Sequence, residues 1–531
     1  MIEQKYKNDI KNMFINMSLI CLIYIYMLAN FWWGNHDWGF LKSGASVESG
    51  LFEARYSQHL FTLLFFEGHI LPVFAFMSGF ACIIAQAFAI GKYFRLPKNA
   101  WVLISLFIAV NPHIYALFYY VYLFFPFMVW SLVGVWLLFF TEGKLSLYKF
   151  ICGVVGFVFL LGSYPPNLAF IFVIFVAKRI FEHLDERESL KENIKRVLFF
   201  GLQFLSAGLV YKIITFYMEK LHLINLDMYN IKTKGILEVI KSIPYEFVQS
   251  YLQLVSQFSF MGWGYVLPLL VVVISALVVL FRKAKNKVYL GVGIVILFFV
   301  SRFAFMLSIH PEYAVFRLMY WARLGIYVFA LSVLLKEKEV WGRNILFLML
   351  VLVVGACLRA NFEIQKVQNL GFVAGRMYQK NLIEIVESNE NFDKTPHYIS
   401  LNFGQPNFRK KFYSGKHATG ELIGLNLVFE FDVANYLFWE EEKSPVIIGA
   451  GISGRDILRV DRDGGERWRN VTYWSDNPVN MDNIKYWLYT KATPYPSPNS
   501  VYIDDKYLLL VLDRLTFYKH RELVARALDK R

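Results

Sequence analysis

The chain has 531 residues, of which 56% are hydrophobic, 18% aromatic and only 18% charged, with a mean hydropathy of +0.41. Water-soluble domains carry about a quarter charged residues, so a wholly soluble protein is excluded and a helical protein crossing a membrane many times is expected. The 55 basic and 41 acidic residues leave a net charge of +14, but they sit in short clusters between apolar runs, which argues against a nucleic-acid partner and for anchors at a lipid surface.

Eleven apolar stretches near the ~20 residues needed to cross a hydrocarbon layer fall at about 12–32, 69–91, 99–115, 117–140, 147–163, 166–181, 197–217, 263–281, 288–308, 318–335 and 344–360. The break between the third and fourth is only Asn111-Pro112-His113. Lys and Arg are retained in cytoplasmic loops. With the N-terminus inside, the inner segments hold 21 of them, among them Arg95, Arg187 and Lys285, against 8 outside, among them Arg55, Arg317 and Arg323. That asymmetry predicts a cytoplasmic N-terminus and an outer C-terminal part. The first apolar run is too long for a signal-peptide core and is expected to remain as the first span. All four cysteines, Cys21, Cys82, Cys152 and Cys357, lie in apolar runs, so the rest of the chain forms neither a disulfide nor a cysteine zinc site.

The first outer loop, 33–68, is long and places Asp37 just beyond the first span. Within it Val47, Leu51, Ala54 and Gln58 follow at helical spacing, which predicts a helix lying in the membrane interface. Trp32, Trp33, Trp38, Trp263 and Trp321 fall near outer span ends, as in an aromatic belt, with one or two able to stack on a sugar. The loop from Glu182 to Arg196 mixes both signs and reads as a solvated helix. After Arg359 the pattern turns to alternation with Gly and Pro breaks, and runs such as 397–401, 446–448 and 507–512 read as strands of one α/β or α+β domain. There, Val446 to Gly454 matches a strand followed by G-x-G-x-x-G. A dinucleotide-binding turn needs a long helix next, and Gly464-Gly465 ends it after about ten residues, so the motif reads as a glycine-rich loop.

An acid after the first span (Asp37), the pair Arg55-Tyr56, the turn Ser163-Tyr164-Pro165-Pro166 between two later spans and an outer C-terminal domain together resemble the polyprenyl-phosphate-dependent O-antigen glucosyltransferases, integral-membrane enzymes of the GT-C superfamily. The chain departs from that pattern at His36-Asp37, where such enzymes often carry two adjacent acids, and at Ala54-Arg55-Tyr56, in place of a Gly-Arg-Trp type segment. The resemblance implies a GT-C-like multispanning fold of about 11 transmembrane helices over residues 1–360, with an outer-face, periplasmic domain over 361–531, in a bacterial inner membrane.

It also implies transfer of a hexose, with glucose first, from undecaprenyl phosphate to a glycan acceptor such as lipid-linked O-antigen. That chemistry needs a base for the acceptor hydroxyl and a cation for the departing phosphate. Asp37 is the expected base, with Glu48 and Glu53 as alternatives. A single carboxylate suffices for inversion, because the phosphate leaves unprotonated. Arg55, Arg317 and Arg323 are the candidate phosphate ligands, with anchoring at the interface the alternative for the last two. His36, Trp38, Tyr56, Tyr164 and His310 are candidate substrate contacts, and His113 is a further donor whose plainer role is structural. No His, Asp and Glu cluster has metal-ligand spacing and no cofactor is expected, the lipid-linked sugar being a substrate. Expected partners are membrane lipid, a donor synthase and a flippase. Two other readings compete: a polyprenyl-glycan flippase using an intramembrane charge such as Arg302, and a non-catalytic assembly protein docking through its outer domain.

Overall fold

The computed structural model describes residues 2–29, 54–69, 71–97, 99–118, 121–143, 145–164, 166–221, 223, 238, 241–245, 248, 263–302, 311–336, 343–390, 399–403, 450–451, 486–487, 490–493, 497–503 and 507–511. Its helices are α1 (Ile2–Ile23), α2 (Ile25–Ala29), α3 (Leu60–Phe66), α4 (Pro72–Tyr93), α5 (Ala100–Val110), α6 (Tyr115–Phe118), α7 (Val121–Thr141), α8 (Leu147–Leu161), α9 (Pro166–Leu184), α10 (Leu190–Lys220), α11 (Trp263–Lys283), α12 (Lys287–Val300), α13 (Pro311–Lys336) and α14 (Arg343–Glu387). Among the described residues, α4, α7, α10 and α11 are long and apolar enough to cross a membrane, and α5, α8 and α12 are shorter apolar helices. The chain divides into two compact units, residues 1–365 with 417–424 and residues 366–416 with 425–531.

Local chemistry sets the helix ends. Pro72 and Pro166 open α4 and α9 at positions where a missing N–H costs nothing. Ser189 caps α10 in a box with Glu192, and Asn286 caps α12 through the Tyr289 amide at 2.9 Å. The Asn111-Pro112 break ends α5, and a 3-10 turn over Pro112–Ile114 follows.

Side-chain contacts fix the helix directions. Trp101 at the start of α5 meets Phe88 near the end of α4 at 5.6 Å between centroids, so these two are antiparallel. Gln86 donates to Ser131 at 2.6 Å and Tyr93 to Glu142 at 3.1 Å, so α4 and α7 run parallel. Trp130 stacks on Phe159 at 5.5 Å and Gly156 faces Leu137, so α7 and α8 oppose. Asn167 at the start of α9 donates to the Phe127 carbonyl at 3.3 Å while Arg179 near its end pairs with Glu142, so α9 follows α7. Phe170 meets Trp321 at 5.1 Å and Phe181 meets Phe329 at 5.2 Å, aligning α13 with α9. The result is an alternating bundle around an aromatic core in which Tyr24, Phe76, Phe80, Phe118 and Phe124 interlock at 4.9–6.2 Å.

Three expectations change. The interfacial helix does not run through Ala54 and Gln58: residues 54–59 form turns, Ala54 has φ +54°, and Gln58 is buried. Val47 and Leu51 lie outside the described residues. The segment 182–196 is a solvated helix only in part: it is the capped joint between α9 and α10, in which Glu186, Arg187, Lys191, Glu192 and Lys195 are exposed while Glu182, Glu188 and Arg196 turn to partners, Glu182 to Lys178, Glu188 to Arg179, and Arg196 to Glu188 at 2.6 Å. Trp321 is no belt residue, for it is 2% exposed and donates to Ser131 at 3.0 Å. In addition α14 does not stop where composition changes at Arg359. It continues to Glu387, with Arg359–Glu363 at 3.4 Å and Lys380–Glu384 at 3.8 Å supporting the polar stretch at i,i+4 spacing.

In the second unit β1 (Ile399–Phe403), β2 (Ala450–Gly451), β3 (Val501–Ile503) and β4 (Tyr507–Val511) form one mixed sheet in the order β2-β1-β4-β3. β1 is parallel to β2 and β4, and β3 is antiparallel to β4. Ala450 and Gly451 are paired with Leu401 and Asn402, so two residues of the glycine motif lie in a ladder, while 446–448 lie outside the described residues.

Candidate functional site

At the bundle end where α8 stops and α9 begins, two motifs 109 positions apart meet. The Arg55 guanidinium lies over the Tyr164 ring, 4.9 Å from its centroid, a contact worth about 0.5–1 kcal/mol at a part-exposed site. Both residues are half-buried. The Tyr164 ring in turn meets Phe127 of α7 edge-on at 5.9 Å, and its carbonyl accepts from Asn167 at 3.1 Å, which starts α9. Ser163 turns its hydroxyl back to the Leu160 carbonyl at 2.6 Å.

The turn that carries Arg55 is pinned from three helices. Tyr211 of α10 donates to the Ala54 carbonyl at 2.8 Å. Trp130 of α7 donates to the Ser57 carbonyl at 2.6 Å. From α8 and its C-terminal turn, the Val158 and Phe159 carbonyls accept the Tyr56 and Ser57 hydroxyls at 3.2 and 2.5 Å, and the Gly162 carbonyl accepts the Ser57 amide at 2.9 Å. Gly162 is required by this docking, because a Cβ there would sit 2.8 Å from the Tyr56 ring and 3.1 Å from the Ser57 hydroxyl. Ala54 adopts the left-handed region, which costs an L-residue about 1 kcal/mol or more.

His59 follows, 1% exposed and stacked on Tyr122 at 5.8 Å. Burial first, and then the Arg55 charge, lower its pKa to about 4, so at neutral pH the ring is uncharged and Arg55 is the cation of this turn. A guanidinium remains charged at any working pH and presents five N–H donors in a planar fork suited to phosphate or carboxylate oxygens. A base and a sugar contact would have to come from elsewhere.

Of the other sequence candidates, Asp37, His36, Trp38, Glu48, Glu53 and His310 lie outside the described residues. Arg317 is placed by its backbone only, in α13. Arg323 is not an interface anchor: it is 1% exposed, inside the bundle, as an electrostatic neighbour of His113 and Tyr327. His113 belongs to the same buried group. Its Nδ1 lies 2.6 Å from Asn111 Oδ1, and the Tyr265 hydroxyl reaches both residues, at 3.2 Å to Asn111 Oδ1 and 3.0 Å to His113 Nδ1. Asn361 of α14 donates to Tyr24 at 2.6 Å and to the Val110 carbonyl at 3.2 Å. This buried polar group joins the Tyr24 turn after α1 to α5, α11 and α14, with Arg323 and Tyr327 of α13 beside it. Beside it a narrow apolar cleft is lined by Val266, Leu269, Val273, Phe298, Ile326 and Tyr327.

Sequence reasoning paired Arg55-Tyr56 with the Ser163-Tyr164 turn only through a resemblance, and it missed Tyr211, Trp130 and Gly162. Their partners lie 73 to 157 positions away, and no local pattern marks them. The chain matches no protein-family model, no curated protein and no solved structure.

Proposed function

We propose that this chain is a GT-C-type membrane glycosyltransferase that moves a hexose, glucose first, from undecaprenyl phosphate to a glycan acceptor such as lipid-linked O-antigen at the outer face of a bacterial inner membrane. The observation that carries the reading is Arg55 seated over Tyr164. Two short motifs of the resemblance, distant in sequence, meet at one helix-bundle end around a permanent cation. The alternation of helix directions supports a many-times-crossing bundle, and the asymmetry of basic residues supports a cytoplasmic N-terminus with residues 361–531 periplasmic.

In the reaction, Asp37 takes the proton of the acceptor hydroxyl as that oxygen attacks the anomeric carbon from the face opposite the phosphate. The carbon–oxygen bond to the carrier breaks with its electron pair, and the lipid phosphate leaves as an anion. Arg55 stabilises that growing charge, the kind of electrostatic contribution that favours the transition state over the ground state. Arg302 favours a second reading, a polyprenyl-glycan transporter, because it is a cation only 2% exposed just past the end of α12.

Transfer of labelled hexose from polyprenyl phosphate to an acceptor glycan, by the purified protein in proteoliposomes, separates the two. Asp37→Asn is expected to cut the rate by ~10²–10⁴-fold with donor binding retained. A wild-type protein that moves intact lipid-linked glycan across the bilayer but transfers no sugar would establish the transporter instead.

A further inference from the structure

We infer that Tyr211, on α10, is a positioning residue for Arg55, an assignment that rests on the glycosyl-transfer reading for its catalytic consequence but not for its geometry. Arg55 is flanked on both sides by contacts to this one side chain. Its hydroxyl donates to the carbonyl of the preceding residue, Ala54, at 2.8 Å, and its ring stacks on that of the following residue, Tyr56, at 5.8 Å between centroids and 29° between planes. Ala54 is the point of strain, with φ +54°. A residue in that region persists only where its surroundings hold it, and the Tyr211 hydroxyl is the bond made to its carbonyl. If Ala54 relaxes to negative φ, the peptide plane between residues 54 and 55 turns, and with it the direction in which Arg55 leaves the backbone. The guanidinium then leaves the Tyr164 face, from which it is now 4.9 Å. Trp130 and Gly162 hold the turn further on, at Ser57, and leave the Ala54 plane to Tyr211.

Two features separate positioning from packing. Tyr211→Phe keeps the ring against Tyr56 and removes the hydroxyl's bond to Ala54 together with its contact to Thr215 one turn on in α10, so a residue that merely fills space would not notice the change. Ala54→Gly removes the strain, because glycine enters the left-handed region without penalty, so it should make the Tyr211 hydroxyl dispensable.

The experiment uses full-length protein in proteoliposomes, with two readouts. One is the rate at which phenylglyoxal modifies Arg55, followed by peptide mass spectrometry; the other is hexose transfer from polyprenyl phosphate. Tyr211→Phe is expected to raise Arg55 modification about fivefold, from the loss of roughly one hydrogen bond. It should lower kcat about tenfold with KM within about twofold, since Arg55 acts mostly on charge that develops in the transition state. In an Ala54→Gly background the same Tyr211→Phe change should move neither readout by more than about twofold. The inference is overturned if Tyr211→Phe leaves Arg55 modification unchanged, or if its effect persists undiminished when residue 54 is glycine. Should Tyr211→Phe fail to fold alone, the pair in the Ala54→Gly background still decides: a Tyr211 requirement there contradicts the inference, and its absence supports it. If the wild-type protein transfers no sugar, the glycosyltransferase reading falls, while the modification rates still show whether Tyr211 sets Arg55.

Discussion

His59 shows how one buried side chain makes the candidate site sensitive to acid. Its ring is 1% exposed, packed on Tyr122 and next to the turn that carries Arg55, and its pKa is lowered to about 4 by burial and by the Arg55 charge. An unfolded histidine titrates near 6.5. Between those values the unfolded chain binds a proton that the native turn does not, so native stability rises with pH through this window. The contribution, about 3 kcal/mol, is complete above about pH 6.5 and is lost progressively as the pH falls towards 4. Thermal inactivation of wild type and His59→Gln at pH 7.5 and pH 5 tests this. The wild type is expected to lose more of its midpoint temperature on acidification than the variant, and equal losses would show that His59 is not the group responsible.

At the scale of elements, the joint between α9 and α10 combines aromatic packing, Phe175 stacked on Phe200 at 3.9 Å, with a buried charge network. Arg179, with its side chain 3% exposed, bonds Glu142 just after α7 and Glu188 before α10, and Arg196 of α10 joins the same Glu188 and the Gly143 carbonyl. Removing one partner from a buried ion pair typically costs about 3–5 kcal/mol, whereas an exposed pair is worth at most about 1 kcal/mol. Arg179→Met should therefore lower the thermal midpoint substantially. Lys285→Met should barely move it, because the Lys285–Glu186 pair is 79% and 60% exposed. Comparable shifts would mean that the network is solvated. This joint is also where sequence reading was only half right, for a physical reason: Arg187, Lys191 and Lys195 do face water, but alternating signs do not distinguish them from Glu182, Glu188 and Arg196, which face other charges. The long helices were legible because length and apolarity alone require them, and the break at Asn111-Pro112 because proline and a polar pair stop a helix. The pinning of Arg55 was not, since Tyr211, Trp130 and Gly162 act across helices and carry no local signature. Trp321 misled in the opposite way, a tryptophan near a span end that finds its indole partner in Ser131, inside the bundle.

For the whole molecule, the decisive quantity is parity. Residues 99–140 held the weakest boundary in the sequence, and a hairpin there that made one crossing instead of two would put every later loop on the other side. The contacts speak to this directly. α5 starts beside the end of α4, through Phe88 and Trp101, and α7 ends beside the end of α4, through Tyr93 and Glu142. The chain thus leaves one end of the bundle in α5 and returns to that same end in α7, and the Asn111–His113 turn lies at the other. Directions then continue to alternate: the start of α12 meets the end of α9, with Tyr289 4.1 Å from His183, and Lys336 at the end of α13 bonds Asp185 there at 2.6 Å. If these helices cross a membrane, Arg187 and Lys285 share one face, and Lys220, at the far end of α10, lies on the opposite one. With basic residues retained inside, the first face is cytoplasmic. Single cysteines at 37, 187, 220 and 285, placed in a background lacking Cys21, Cys82, Cys152 and Cys357, can be labelled in intact cells with a reagent that does not cross the inner membrane. Positions 37 and 220 are expected to label, and 187 and 285 to label only after lysis. Labelling of 187 in intact cells would reverse the orientation, and Asp37 and Lys220 on different sides would show that one of the apolar stretches between them does not cross.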